Sequence, residues 1–148
     1  MAASPQALEE MMKRGTRAIA KARPKRFANP KREQDYLISI TLPEFTCICP
    51  LSGYPDFAVI RLCYVPDRWC VELKSLKLYI NSFRDKPAFH EAVTNQILDE
   101  LVKLLHPRWM EVVGDFNPRG NVKTIVRAWH GTPPPQVETE MADETEEQ

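Results

Sequence analysis

The apolar residues between Tyr36 and Trp129 change their period twice, and that double change leaves the chain few architectures. Tyr36 to Ile40, Tyr-Leu-Ile-Ser-Ile, is dense in aromatic and β-branched residues, and Phe57 to Val65 alternates, so both predict strands. The stretch between them, Pro43 to Asp56, contains Pro and Gly and predicts a long connection, the kind of loop that carries functional residues when a sheet holds its ends. Trp69 to Leu73 predicts a short extended piece, with Ser75 as the N-cap of a helix. In that helix Leu76, Tyr79, Ile80 and Phe83 form one apolar stripe, with Lys77 and Arg84 off it. A second helix is expected from near Pro87, lined on one face by Phe89, Val93, Ile97, Leu101 and Leu104 and stopped by Pro107. Trp109 to Phe116 and Val122 to Trp129 return to β-type runs, separated by the turn Asn117-Pro-Arg-Gly-Asn121. The order strand, strand, helix, helix, strand, strand gives a sheet too small to close on itself, hence an edge that needs a partner.

A chain of 148 residues with 43% apolar content is enough for one domain and a core without disulfides. The formal charge is zero, but nine Lys/Arg fall within residues 13 to 32 and six Asp/Glu within residues 136 to 148. Short like-charge runs of this kind are solvated segments, so residues 1–32 are expected to form a basic N-terminal arm, 33–132 the folded domain, and 133–148 a disordered acidic tail. Interleaved aromatics are almost absent from the arm, and no nucleic-acid partner is expected. The start has no apolar run of signal-peptide length and no segment is apolar enough to span a bilayer, so a cytoplasmic protein with no membrane partner is expected. Cys47, Cys49, Cys63 and Cys70 are then reduced thiols.

Chemistry-bearing residues concentrate in three places. The first is Phe45-Thr-Cys-Ile-Cys-Pro50 with Asp56 across a Ser52-Gly53-Tyr54-Pro55 turn, which puts a thiol and a carboxylate on either side of one reversal. The others are Glu72-Leu-Lys-Ser-Leu-Lys-Leu-Tyr79 and Phe89-His90-Glu91. Residue by residue, the ordinary readings are bland: a Cys beside Ile and Pro is a small buried hydrophobe, a His-Glu pair opens a solvated helix turn, and lysines line a helix's wet face. Lys74 and Lys77, with Ser75 at a helix start, also suit a phosphate through charge and unpaired backbone N–H groups, and Arg119 in its turn is a further phosphate candidate. No Gly-x-Gly-x-x-Gly run is present, so a dinucleotide held in a Rossmann fold is excluded.

Together the three motifs resemble those of the NADPH-dependent nitrile reductases of queuosine biosynthesis, from about Asn29 to Gly120. That family reduces 7-cyano-7-deazaguanine to 7-aminomethyl-7-deazaguanine. The resemblance implies an α+β tunnelling fold: an antiparallel sheet in ββααββ order, two helices on one face, and homo-oligomeric assembly edge to edge into a barrel with sites between subunits. It implies Cys49 as nucleophile and Asp56 as proton donor that also takes the thiol proton. It places Val71, Glu72, Leu73, His90 and Glu91 on the substrate, Lys74, Ser75 and Lys77 on NADPH, and no metal at the site; Arg119 joins the NADPH set as the phosphate candidate of its turn. A nitrile carbon is a weak electrophile, and capture by a thiolate as a thioimide makes a better hydride acceptor, which is why a reactive Cys and an acid are needed together. Cys47 keeps the bland reading, and Cys63 and Cys70 are expected to pack. Two rivals stand beside this reading. One is a zinc-dependent pterin enzyme like GTP cyclohydrolase I, weakened by a Cys-x-Cys pair that lacks the usual Cys-x-x-Cys spacing; the other is a non-catalytic base- or RNA-binding module built on the basic arm.

Overall fold

The computed structural model describes residues 3–20 and 22–135. In chain order its elements are α1 (Pro5–Ala20), β1 (Arg26–Ala28), β2 (Ile38–Ile48), β3 (Pro55–Val65), β4 (Trp69–Val71), α2 (Leu73–Asn81), α3 (His90–Leu105), β5 (Trp109–Arg119) and β6 (Val122–Gly131). The four long strands form one antiparallel sheet in the order β2-β3-β5-β6. One face of it carries Phe45, Ile60, Leu62, Tyr64, Met110, Val112 and Phe116, which close over Leu76, Tyr79 and Phe83 of the α2 region and Val93, Ile97, Leu101 and Leu105 of α3. This is the subunit arrangement expected of the tunnelling fold, with both helices on one face.

The opposite face is charged. Register sets Arg61 beside Val113, and Asp115 receives both Arg61, at 3.0 Å, and Lys123. Phe57, Ile125 and Trp129 stand exposed on the same face. Among the described residues the outer edges of β2 and β6 pair with no further strand, apart from the 86–88 segment, which docks on Ile48. No helix of the described residues is long and apolar enough to cross a membrane.

Three expectations are corrected here. Pro43 to Asp56 is not a long connection: β2 continues to Ile48 and β3 begins at Pro55, leaving only a short turn. Pro43 is tolerated because β2 is an edge strand and the register shifts between Leu42 and Phe45, so its missing N–H falls at a bulge. Ser75 is not the N-cap of α2. That place belongs to Glu72, whose carboxylate accepts the Ser75 N–H at 2.5 Å. The stripe of α3 runs on to Leu105, four residues after Leu101, with Leu104 partly buried at its margin, and Phe89 lies outside the helix, which starts at His90, half exposed.

Within the segment expected to be an arm, Arg26, Phe27 and Ala28 pair antiparallel with Val71, Cys70 and Trp69. The guanidinium of Arg26 lies over the Trp69 ring and donates to the carbonyl of Leu104. The acidic tail lies, from residue 136 on, outside the described residues.

Candidate active site

The turn between β2 and β3 is closed by two backbone bonds, Gly53 N–H to Cys49 O and Cys49 N–H to Tyr54 O, both 2.9 Å. Gly53 takes φ +74, which a residue with a Cβ adopts only with strain, so the tightness of this reversal rests on that glycine. Cys49 stands half buried at the lip of the turn. Two residues earlier in the same strand Cys47 points into the core, fully buried, its Sγ 3.9 Å from the carbonyl of Ala88.

The two thiols have opposite acidities. Burial, followed by the charges of Asp56 and Cys49, pushes Cys47 up to about 11. Cys49 is lowered to about 7, first by the hydroxyl of Ser52, then by the backbone N–H groups of Ser52 and Leu51, with the charge of Arg119 adding to them against a smaller desolvation effect. A thiol at about 7 is close to half thiolate at neutral pH, whereas Cys47 is protonated and inert.

Asp56 is 7% exposed and is held from two sides. Arg119 Nη1 donates to Oδ1 at 2.6 Å, and His90 Nε2 lies 3.2 Å from Oδ2. A buried carboxylate needs such partners, since desolvation without them is costly. Arg119 closes β5 just before Gly120 and Asn121, both at positive φ, and its second nitrogen donates to Ser52 Oγ while the guanidinium lies 5.7 Å from the Tyr54 ring centroid. One arginine therefore joins the turn that carries Cys49 to the strand that carries Asp56.

His90 is placed by packing. Its ring stacks on Phe116, centroids 3.8 Å apart and planes 6° from parallel. The close approach of α3 depends on Gly114: a Cβ there would lie 2.6 Å from Thr94 Oγ1 and 2.8 Å from the Phe116 ring. Thr94 Oγ1 in turn donates to the His90 carbonyl. Glu91 follows in the same helical turn, exposed.

The structure thus brings Cys49, Asp56, His90, Glu91 and Arg119 to one end of the sheet. It does not bring Val71, Glu72, Leu73, Lys74, Ser75 and Lys77 there. The Val71 N–H donates to Tyr64 Oη at 3.1 Å, and from Asp56 to Tyr64 the strand runs about 26 Å at roughly 3.3 Å per residue. Within this second group Glu72 is the helix cap described above and Leu73, Lys74 and Lys77 are exposed. The Ser75 hydroxyl donates to Glu72 O and accepts from Lys25 N–H, both at 2.8 Å, so it is engaged in holding the chain rather than open to a phosphate. Arg119, expected on a phosphate, is here on Asp56 and Ser52.

Sequence reasoning missed Ser52 and Phe116. Ser52 had a signal, since a hydroxyl one residue from Gly53 in a tight turn is well placed to face the residue that opens it. Phe116 had none, because its stacking on His90 depends on how α3 crosses β5. Of the remaining thiols, Cys63 lies by Ser39 Oγ at 3.4 Å and Cys70 by Tyr36 Oη at 3.8 Å, so the four cysteines do not converge.

The sequence profile of the QueF-like protein family matches residues 55–135. A relative from Synechococcus sp. (strain CC9605), named NADPH-dependent 7-cyano-7-deazaguanine reductase, is 58% identical over 121 residues, 82% of this chain and 94% of that protein. Proteins of the same name from Aquifex aeolicus (strain VF5) and Anaeromyxobacter dehalogenans (strain 2CP-C) are 58% and 61% identical over 78% and 73% of this chain, covering 89% and 88% of theirs. The solved apo form of the archaeosine synthase QueF-Like superposes with a TM-score of 0.61 at 20% identity, over 66% of this chain and 96% of that one, a likeness of fold. The chain is therefore a member of the QueF-like protein family, whose members include the NADPH-dependent 7-cyano-7-deazaguanine reductases.

Proposed function

We propose that this protein reduces the nitrile of 7-cyano-7-deazaguanine to the aminomethyl group with NADPH, in queuosine biosynthesis, through a thioimide on Cys49. The observation that carries the reading is the pairing of a thiol lowered to about 7 with a buried carboxylate through one shared arginine, while the neighbouring Cys47 is shut away.

In this reading the Cys49 sulfur attacks the nitrile carbon. The C–S bond forms as one C–N π bond breaks, and the nitrogen takes a proton. Asp56 balances that proton by receiving it from the thiol and returning it to nitrogen, with Arg119 and His90 holding both of its oxygens in place. NADPH, when bound, supplies one hydride, and two NADPH in turn supply the two that a nitrile needs to become an amine. Between them Cys49 leaves as thiolate, and Asp56 with His90 provides the protons that nitrogen gains.

Glu91 and Glu72 are the carboxylates suited to the paired N–H donors of a guanine-like edge. Glu91 is next to His90, whereas Glu72 follows Val71, whose N–H meets the Tyr64 hydroxyl, and Tyr64 stands about 26 Å of strand from Asp56, far longer than a bicyclic base. A site that uses both must draw them from two copies, and the open outer edges with Phe57, Ile125 and Trp129 exposed support self-association. The exposed ammonium groups of Lys74 and Lys77, one helical turn apart, fit the phosphates of NADPH, and backbone groups of Val71 and Leu73 lie beside Glu72 for the base.

The test is nitrile-dependent oxidation of NADPH by the purified oligomer, with the product identified by mass. The account expects two NADPH consumed per aminomethyl product and none in Cys49→Ala. NADPH left unoxidised by the parent protein in the presence of the nitrile would refute it.

A further inference from the structure

The register that pairs Cys47 with Asp56 and Ile48 with Pro55 sets Cys49 opposite Tyr54 one step further on, and the Cys49 N–H to Tyr54 O bond of 2.9 Å makes that step. Directly opposed side chains leave a two-stranded ribbon on the same side, with Cβ atoms about 4.5–5.5 Å apart. The Tyr54 ring and the Cys49 sulfur therefore stand side by side at the mouth of the turn. Tyr54 is 68% exposed. Its ring centroid lies 5.7 Å from the guanidinium carbon of Arg119, whose Nη1 is held by Asp56 at 2.6 Å. That contact ties the ring to the carboxylate of the site and leaves most of its surface open.

The reaction limits where the substrate ring can lie. The nitrile carbon that sulfur attacks is bonded directly to the deazaguanine bicycle, so the bicycle begins two bonds from the Cys49 sulfur. A flat heterocycle held that close needs a flat apolar neighbour to replace the water on its faces, and Tyr54 is the aromatic ring directly across the turn. We propose that Tyr54 is a substrate-binding residue whose ring stacks on the deazaguanine bicycle and lines its nitrile up with the Cys49 sulfur. This deepens the reductase reading and rests on it. Stacking grips the faces of the base, whatever its edge carries, and leaves the N–H edge to Glu91, so affinity and selection come from different side chains.

The experiment measures equilibrium binding of 7-cyano-7-deazaguanine by calorimetry in a Cys49→Ala background, where no bond to that sulfur can form, so its outcome is separate from failure of the thioimide. Adding Tyr54→Leu should weaken binding roughly 10-fold to 100-fold, the range for one base stacked on one aromatic ring, and Tyr54→Phe should keep it within about threefold. With Cys49 present and no substrate, the pH midpoint of its alkylation by iodoacetamide, followed at the peptide level by mass spectrometry, should be the same in Tyr54→Leu as in the parent. Unchanged affinity in Tyr54→Leu would overturn the contact, and a raised KM for NADPH alongside it would give the ring to the cofactor. Weakened binding together with a moved alkylation midpoint would also overturn it, by making Tyr54 a support of the turn. Absence of binding to Cys49→Ala itself would sink the substrate assignment, and this contact with it.

Discussion

Two cysteines separated by one residue would share a face if the strand ran on, and they end in opposite environments because β2 stops between them, at Ile48. Cys47 is the last inward residue of the β2 core, and Cys49 belongs to the turn. The sign of the pH dependence follows. Thiolate is the attacking form, and lowering the pKa to about 7 raises its fraction at any given pH below the usual thiol range. Adduct formation with a nitrile should rise about tenfold per pH unit below neutrality and level off above pH 7–8, where an ordinary thiol would keep climbing to about 8.5 or beyond. Stopped-flow rates against pH check this, and a profile still climbing above pH 9 would contradict it. Asp56→Asn should keep the fold but cost roughly 100-fold to 10,000-fold in turnover, because an amide neither takes nor returns a proton. Retention of turnover within a factor of about three would remove Asp56 from the proton path. The sequence made Cys49 and Asp56 legible only through the company of their motifs. Ser52 left a signal in its turn, but the clamp by Arg119 was out of reach, since residues 52, 56 and 119 meet only once three strand ends are stacked in register.

At the level of elements, the two helix faces and the final hairpin were readable because apolar spacing and turn residues act locally. Leu76, Tyr79 and Ile80 and then Val93, Ile97 and Leu101 are buried at the spacings that define each stripe. The course of β2 was not readable. A Pro, a bulge and a later Pro look like a loop in sequence, and what rescues the strand is its edge position beside β3, a nonlocal fact. The ribbon of β1 and β4 was equally hidden, since three residues a side carry no period. Gly131, at φ +83, ends β6 against the backbone of Arg108, where a Cβ would run into the Arg108 carbonyl oxygen. Gly131→Ala should therefore destabilise the protein by about 1–3 kcal/mol, seen as a lower Tm. An unchanged melting curve would mean that Trp109 and Gly131 are not paired as described. Glu72 is a cap whose carboxyl is pulled below its usual value, first by the Ser75 N–H. A depressed acid contributes to stability above its unfolded pKa and loses that contribution as pH falls through the folded value, so helix α2 should loosen on acidification.

At the scale of the whole molecule, the catalytic end of the sheet and the Glu72 end are too far apart to serve one ligand, and the edges of the sheet are open. Both observations support the proposal that each site is shared between two copies. Complementation tests it. Cys49→Ala and Glu72→Ala should each be inactive alone, and a mixture allowed to exchange subunits should recover activity, because some interfaces then carry both native residues. Silence of the mixture, with exchange verified, would contradict a site shared between copies, and activity of Glu72→Ala alone would place Glu72 outside the site.

The central claim is that the Cys49 sulfur forms a bond to the nitrile carbon. Intact-protein mass spectrometry with 7-cyano-7-deazaguanine and no NADPH tests it most directly. The account predicts a covalent adduct of the mass of the whole nitrile, present in the parent and in Cys47→Ala and absent in Cys49→Ala. A parent protein that carries no adduct, or a Cys49→Ala protein that still carries one, would contradict it.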